Sequence, residues 1–145
     1  MIDRFERFSF AISEISYHWH KIAADVMEKH GLKGPYAVYF TTMQRFPEGI
    51  TAARLGEFCS KDKADVSRAI AVLEKQGLVI KEGEHYRALL KLTPEGKQLA
   101  EVINEKAMIA VENGGKGCSE EEREIFYKIL ELIRSNLEEL SEKGL

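Results

Sequence analysis

The sequence predicts a mainly α protein with one small β-hairpin: a winged helix-turn-helix domain with terminal helices that form a dimerisation region. Three observations carry that prediction. The stretch DKADVSRAIAVLEKQG, residues 62–77, sets Val66, Ala69, Ile70 and Leu73 at intervals of three and four, which is one apolar stripe on a helix. A shorter helical stretch precedes it, and two apolar runs around Glu82, Gly83 and Glu84 follow it as a hairpin. Both ends of the chain carry long apolar seams at helical spacing.

From the amino terminus, Phe5, Phe8, Ile12, Ile15, Trp19, Ile22 and Val26 alternate spacings of three and four. This predicts a first helix over 2–29, with a seam suited to packing along another helix. Gly31 is placed to close it as a left-handed cap. Gly34 and Pro35 open a second helix that runs to about residue 45, since proline is tolerated at the first helical position. Tyr36, Tyr39, Phe40 and Met43 are expected to be buried on it, and Phe46, Pro47 and Gly49 end it. Thr51 then caps AARLGEFC, whose Leu55, Phe58 and Cys59 are expected to point inward. Asp62 caps the 62–77 helix, and Asp65 stands at the third helical position, as in a capping box with Asp for Glu. Ser60 and Lys61 form a connection short enough to hold two helices at a fixed angle, as a helix-turn-helix requires.

Gly77 stops the central helix. LVIK reads as a strand and HYRALLKL as its return, with Tyr86, Ala88, Leu90 and Leu92 on one face. Thr93 and Pro94 start a helix over 94–112 along Leu99, Val102, Ile103, Ala107 and Ala110. Gly114, Gly115 and Gly117 interrupt the pattern. Ser119 with Glu122 is a capping box, and Phe126, Ile129, Ile133, Leu137 and Leu140 give the last helix its seam.

The chain has 145 residues and is 44% hydrophobic, enough for one domain, or one domain with a dimerisation arm. No apolar run approaches the ~20 residues that span a bilayer, and MIDRFERF lacks the shape of a secretory signal, so a soluble, cytoplasmic protein is expected. The net charge is −3 but unevenly spread. Residues 1–50 carry six basic and six acidic side chains, 51–93 eight against six, and 94–145 seven against twelve. The middle third is the basic third, and an acidic total is compatible with DNA when the basic groups face the phosphates.

On the 62–77 helix, Lys63, Ala64, Asp65, Ser67, Arg68 and Ala71 fall opposite the apolar stripe. Small, hydroxyl and cationic side chains keep a helix slim enough for the major groove. The run LGEFCSKDKADVSRAIAVLEKQGLVIK, followed by a hairpin and LLKLTPEGKQLAE, resembles the multiple antibiotic resistance regulator (MarR) family of bacterial and archaeal transcription factors. The resemblance is sharpest from Leu55 to Gly96, where Glu57, Val66, Ser67, Arg68, Leu73, Glu74, Gly77, Leu78, Leu92 and Thr93 also follow the family pattern.

The resemblance implies a homodimer built by residues 1–33 and 94–145, with 34–93 as the DNA-binding lobe. Each protomer would present one recognition helix and one wing to a pseudo-palindromic operator in double-stranded DNA, with repression as the expected outcome. The expected DNA-facing residues are Thr51, Arg54, Lys61, Lys63, Ala64, Asp65, Ser67, Arg68, Lys75 and Arg87. Asp65 is unusual on a surface that meets phosphates: it could accept from a cytosine amino group or support the helix start. The family usually carries Asp-x-Arg near the wing tip. Here the segment is shorter and reads Glu82, Gly83, Glu84, His85, Tyr86, Arg87, whose glutamates oppose close approach to DNA.

In many relatives an aromatic acid or another small amphiphile binds between the dimer helices and the DNA-binding lobe. Tyr17, His18, Trp19, Tyr36 and Tyr39 are the candidates here, with Arg45 or His18 to hold a carboxylate. The plainer reading of the same rings is core and helix surface. His18 and His20 are two apart, whereas metal ligands on one helix face prefer three or four, so neither a metal site nor a cofactor is expected. Cys59 and Cys118 fit no disulfide framework; Cys59 reads as a small buried hydrophobe, and Cys118 in its glycine loop is open to oxidation. An enzyme is not expected, because GGKG at 114–117 lacks the strand and the Ser/Thr of a P-loop. Two alternatives stay beside the DNA-binding reading: a winged-helix module that binds protein, and a redox- or metal-responsive regulator of the same fold.

Overall fold

The computed structural model describes residues 2–84 and 87–145. It comprises two compact units, Met1–Ala107 and Met108–Leu145. The first contains α1 (Ile2–Glu28), a 3-10 turn (Gly34–Tyr36), α2 (Ala37–Gln44), α3 (Ala52–Cys59), α4 (Lys63–Lys75), β1 (Val79–Glu82), β2 (Leu89–Leu92) and most of α5 (Pro94–Gly114). The second contains the end of α5 and α6 (Glu120–Lys143).

Three helices of the first unit close in the same way. At the end of α1, Leu32 N–H donates to the Met27 carbonyl and Gly31 N–H to that of Glu28, with Gly31 at φ 69°. This is a Schellman closure, in which a left-handed residue turns the chain back onto its own last carbonyls. Leu78 and Gly77 repeat it on Leu73 and Glu74 at the end of α4. Lys61 and Ser60 repeat it on Gly56 and Glu57, and that turn sets the angle between α3 and α4.

Ser60 is the only non-glycine residue at positive φ (52°) among the described residues. An L side chain in that conformation carries strain that glycine does not. Ser60→Gly is therefore expected to raise stability by about 1 kcal/mol, read as a higher midpoint in urea unfolding. An unchanged or lower midpoint would show that the Ser60 conformation is unstrained.

The core fills the space between α2, α3, α4, the hairpin and the start of α5. Phe40, Met43, Leu55, Val66, Ile70, Leu73, Val79, Leu90 and Leu99 are buried in it together with Met27 and Leu32. All four residues of the α4 stripe are buried, as the spacing predicts. β1 pairs antiparallel with β2 in the register Val79↔Leu92 to Glu82↔Leu89. Ile50 adds a one-residue third member, exchanging both backbone hydrogen bonds with Leu90 at 3.1 and 2.8 Å.

Several expectations are corrected. The second helix does not begin at Gly34: residues 34–36 make a 3-10 turn and α2 starts at Ala37, leaving Tyr36 only half-buried. Gly34 packs so close to α1 that a Cβ there would stand 2.9 Å from the Ala24 Cα, so the approach of the two segments fixes the turn. Phe58 does not point inward; it is exposed beside Phe46. The returning strand begins at Leu89 rather than at residue 85. Ala88, Leu90 and Leu92 are buried as expected, while Tyr86 and His85 lie outside the described residues.

In the second unit, Ser119 and Glu122 form the expected reciprocal capping box, at 3.1 and 2.9 Å. The Ser119 hydrogen bonds hold the Glu122 carboxyl below its usual range. Arg123 clips the preceding turn by donating to the Glu112 carboxylate (2.7 Å) and carbonyl (3.3 Å). No residue of α6 is buried within the chain.

Candidate nucleic-acid interface

Burial of Val66, Ala69, Ile70 and Leu73 turns the other side of α4 outward. Lys63, Ala64, Asp65, Ser67, Arg68 and Lys75 are all exposed. The helix begins with Asp62 accepting from the Asp65 N–H at 2.8 Å. The reciprocal half of a capping box is missing, because the Asp65 carboxylate faces forward and accepts from Arg68 Nη2 at 2.5 Å. Asp65 therefore reaches the outer face through Arg68, which corrects the capping-box expectation.

The flanking elements add cations. Lys61 is exposed in the α3–α4 turn, and Thr51 is half-buried with its Oγ1 accepting from Arg54 N–H at 3.3 Å, which caps α3 and leaves the hydroxyl proton to donate elsewhere. The Arg54 guanidinium lies 5.3 Å from the Phe46 ring centroid and 5.6 Å from that of Phe58. Those distances suit cation–π attraction and leave the N–H donors of Arg54 free of any carboxylate among the described residues. This clamp explains why Phe58 is exposed. Its only sequence signal is the four-residue spacing of Arg54 and Phe58, since Phe46 arrives from the preceding loop.

On the wing, Lys91 Nζ lies 2.7 Å from Glu82 Oε2 and Lys81 Nζ 3.3 Å from Glu74 Oε1. One of the two wing-tip glutamates is thus paired. Arg87 is exposed next to residues 85 and 86, which lie outside the described residues.

The six effector candidates do not share one hollow. Tyr36 and Tyr39, with ring centroids 6.3 Å apart, line a hollow of about 330 Å3 together with Lys33, Lys61, Asp65 and Arg68. Burial pushes the Tyr39 hydroxyl up from its ordinary pKa. Tyr17 lines a different, open hollow of about 770 Å3 with Ser16, His20, Lys21 and Gly34. His18 packs edge-on against Tyr17 at 5.1 Å, Trp19 is 44% exposed, and Arg45 is exposed at the end of α2; these three line neither hollow. Successive helical residues point ~100° apart, so Tyr17, His18 and Trp19 diverge. Lys33, Lys61 and Arg68 are the cations of the hollow of Tyr36 and Tyr39, and Arg45 is not among them.

Cys59 is buried, with its Sγ 3.4 Å from Thr42 Oγ1. Burial pushes its thiol pKa up and outweighs the opposing Thr42 bond, which disfavours the reactive thiolate. His20 Nδ1 lies 2.7 Å from the Ser16 carbonyl oxygen, and no cluster of three metal-ligating side chains occurs among the described residues. No helix among those residues is long and apolar enough to cross a membrane.

Residues 30–88 match the MarR family model. No curated protein is significantly similar in sequence. Among solved structures, a MarR family transcriptional regulator from Listeria monocytogenes in complex with 26-mer DNA is similar with a TM-score of 0.80 and 25% identity, over 92% of this chain and 93% of that one. A MarR regulator from Methanosarcina mazei Go1 has a TM-score of 0.82 and 21% identity, over 93% and 92% of the two chains. MepR, a transcription regulator of the Staphylococcus aureus multidrug efflux pump MepA, has a TM-score of 0.70 and 20% identity, over 90% and 98%. These similar proteins are transcriptional regulators.

Proposed function

We propose that this chain, a winged helix-turn-helix protein of the MarR family, is a homodimeric transcriptional repressor that binds a pseudo-palindromic operator through residues 62–77. The observation that carries the reading is α4, which buries one stripe in the core and turns Lys63, Ala64, Ser67 and Arg68 outward. Residues 34–93 form the DNA-binding lobe, with Thr51, Arg54, Lys61, Lys75 and Arg87 supplying contacts around the reader. Residues 1–33 and 94–145 make the dimer, supported by the apolar side chains left exposed on α1 and α6. A two-fold dimer reads two half-sites ~34 Å apart, one turn of the duplex.

An aromatic or amphiphilic anion in the hollow of Tyr36, Tyr39, Lys33 and Lys61 would lie beside Arg68. It releases DNA to the extent that it prefers a dimer whose recognition helices no longer match that spacing. Solubility in the cytoplasm goes with this role.

The test is equilibrium binding of the full chain to duplexes tiled across its gene's upstream region, at several salt concentrations. Site-selective binding is expected, with a log-log salt slope of about −0.9 per phosphate contacted. Arg68→Ala is expected to weaken the operator complex by about tenfold or more. Binding no tighter than to random duplex would overturn the reading and leave a module that recognises protein.

A further inference from the structure

We propose that Asp65 is a specificity-setting residue of the α4 reader, acting through Arg68. The inference rests on the DNA-binding reading above and names what the acid on that surface does.

Asp65 is not the cap of the helix. Asp62 already accepts from the Asp65 N–H, and the Asp65 carboxylate is spent on Arg68 instead. Nor does the pair hold the fold together: the two side chains are 47% and 69% exposed, and ion pairs that face water contribute little to folding. A carboxylate on a surface that meets a polyanion repels it. The side chain Asp65 grips is an arginine of the outer face.

The geometry gives that grip a consequence. A guanidinium is a rigid planar fork, so fixing Nη2 on Asp65 Oδ1 aims its remaining donors in one direction. A guanine edge accepts two parallel N–H bonds in one plane, and an arginine anchored along its other side is oriented for it. A phosphate can be reached from many directions. Pulling Arg68 away to any such phosphate would leave the Asp65 carboxylate without its arginine partner next to the duplex. Asp65 thus supports the cognate base contact and opposes the indiscriminate one. It lowers non-specific affinity more than specific affinity, which is how discrimination is set.

The experiment uses the full chain, a duplex selected by it from a random-sequence pool, and a random duplex of the same length. Affinities are measured for the natural protein, Asp65→Asn, Arg68→Ala and the double variant, with thermal midpoints as the folding control. Asp65→Asn is expected to bind random duplex about tenfold tighter while the selected duplex gains little, so that the specificity ratio falls by about tenfold. In the Arg68→Ala background the same change is expected to leave the ratio within about twofold, the coupling that a double-mutant cycle reads. Asp65→Glu, which can still reach Arg68, is expected to restore part of the ratio.

Equal gains on both duplexes would overturn the proposal in favour of simple charge repulsion. A ratio that falls as far without Arg68 would also overturn it, because Asp65 would then touch a base itself. A natural protein with no preference for its selected duplex is a different failure: it overturns the DNA-binding reading, and the proposal falls with it.

Discussion

Gly96→Ala is expected to destabilise the protein by about 3–5 kcal/mol, a large share of the ~5–15 kcal/mol that holds a domain folded. A Cβ at residue 96 would stand 2.0 Å from the Leu78 carbonyl oxygen and 3.0 Å from its carbon. Overpacking against a side chain is often relieved by a new rotamer, but a backbone carbonyl has none. This carbonyl is also held in place: Leu78 O accepts from Thr93 N–H at 3.0 Å, and Thr93 Oγ1 donates to Gly77 O at 2.6 Å while accepting from Gly96 N–H at 3.1 Å. Moving residue 96 away breaks bonds worth about 1 kcal/mol each, in addition to the ~1–3 kcal/mol of overpacking. Gly114→Ala is the control, because a Cβ there meets nothing within 4 Å and its φ is not positive. It is expected to be neutral or slightly stabilising. Urea unfolding at one fixed protein concentration compares the two, since an oligomer's stability depends on concentration. A Gly96→Ala midpoint close to that of the natural protein would show that the α4–α5 junction is far softer than its hydrogen bonds suggest.

What the sequence made legible was local. The α4 stripe needs only the helical repeat, and the Asp62 and Ser119 caps need only a side chain three residues from its target. The features missed depend on parts of the chain that meet only after folding. Phe58 reads as inward because periodicity registers an apolar residue beside Leu55 and Cys59; it cannot register that Phe46 brings a second ring to the same guanidinium. Ile50 pairs with Leu90 as a strand of one residue, too short to have a period. Asp65 satisfies the capping-box pattern equally well whether its carboxylate bonds back to Asp62 or forward to Arg68, and only the side-chain direction separates the two. Tyr17, His18 and Trp19 form a cluster along the chain, whereas a hollow gathers residues from separate elements. Tyr36 and Tyr39 meet Lys61 across the fold, while His18 and Trp19, adjacent in sequence, do not.

A charge in the middle of either terminal seam, Ile15→Glu or Ile129→Glu, is expected to turn the proposed dimer into monomers and to weaken operator binding by about a hundredfold or more. Among the described residues most side chains of both seams are exposed. Phe5, Phe8, Ile12, Ile15, Trp19 and Ile22 are all exposed on α1, as are Phe126, Ile129, Leu137 and Leu140 on α6. Soluble monomers rarely expose contiguous apolar patches beyond a few hundred Å2, and α1 alone is 27 residues long, about 40 Å of helix. At ~25 cal/mol per Å2, covering such a stripe is a strong drive to associate. A glutamate placed there must be desolvated without a partner, and a two-fold interface presents it twice. The proposed DNA-binding lobe has its own core around Leu55, Val66, Leu73 and Leu90, so it is expected to stay folded and to keep the weak affinity of a single half-site. What the operator would lose is the second recognition helix, whose local concentration the proposed dimer would hold in the millimolar range. Sedimentation equilibrium reads the first effect directly: twice the 16.5 kDa chain mass for the natural protein and 16.5 kDa for each variant. Variants that still sediment at the dimer mass would place the interface elsewhere. Monomeric variants that bind the full operator as tightly as the natural protein would break the link between dimer and palindrome, because a lone α4 would then supply all of the affinity.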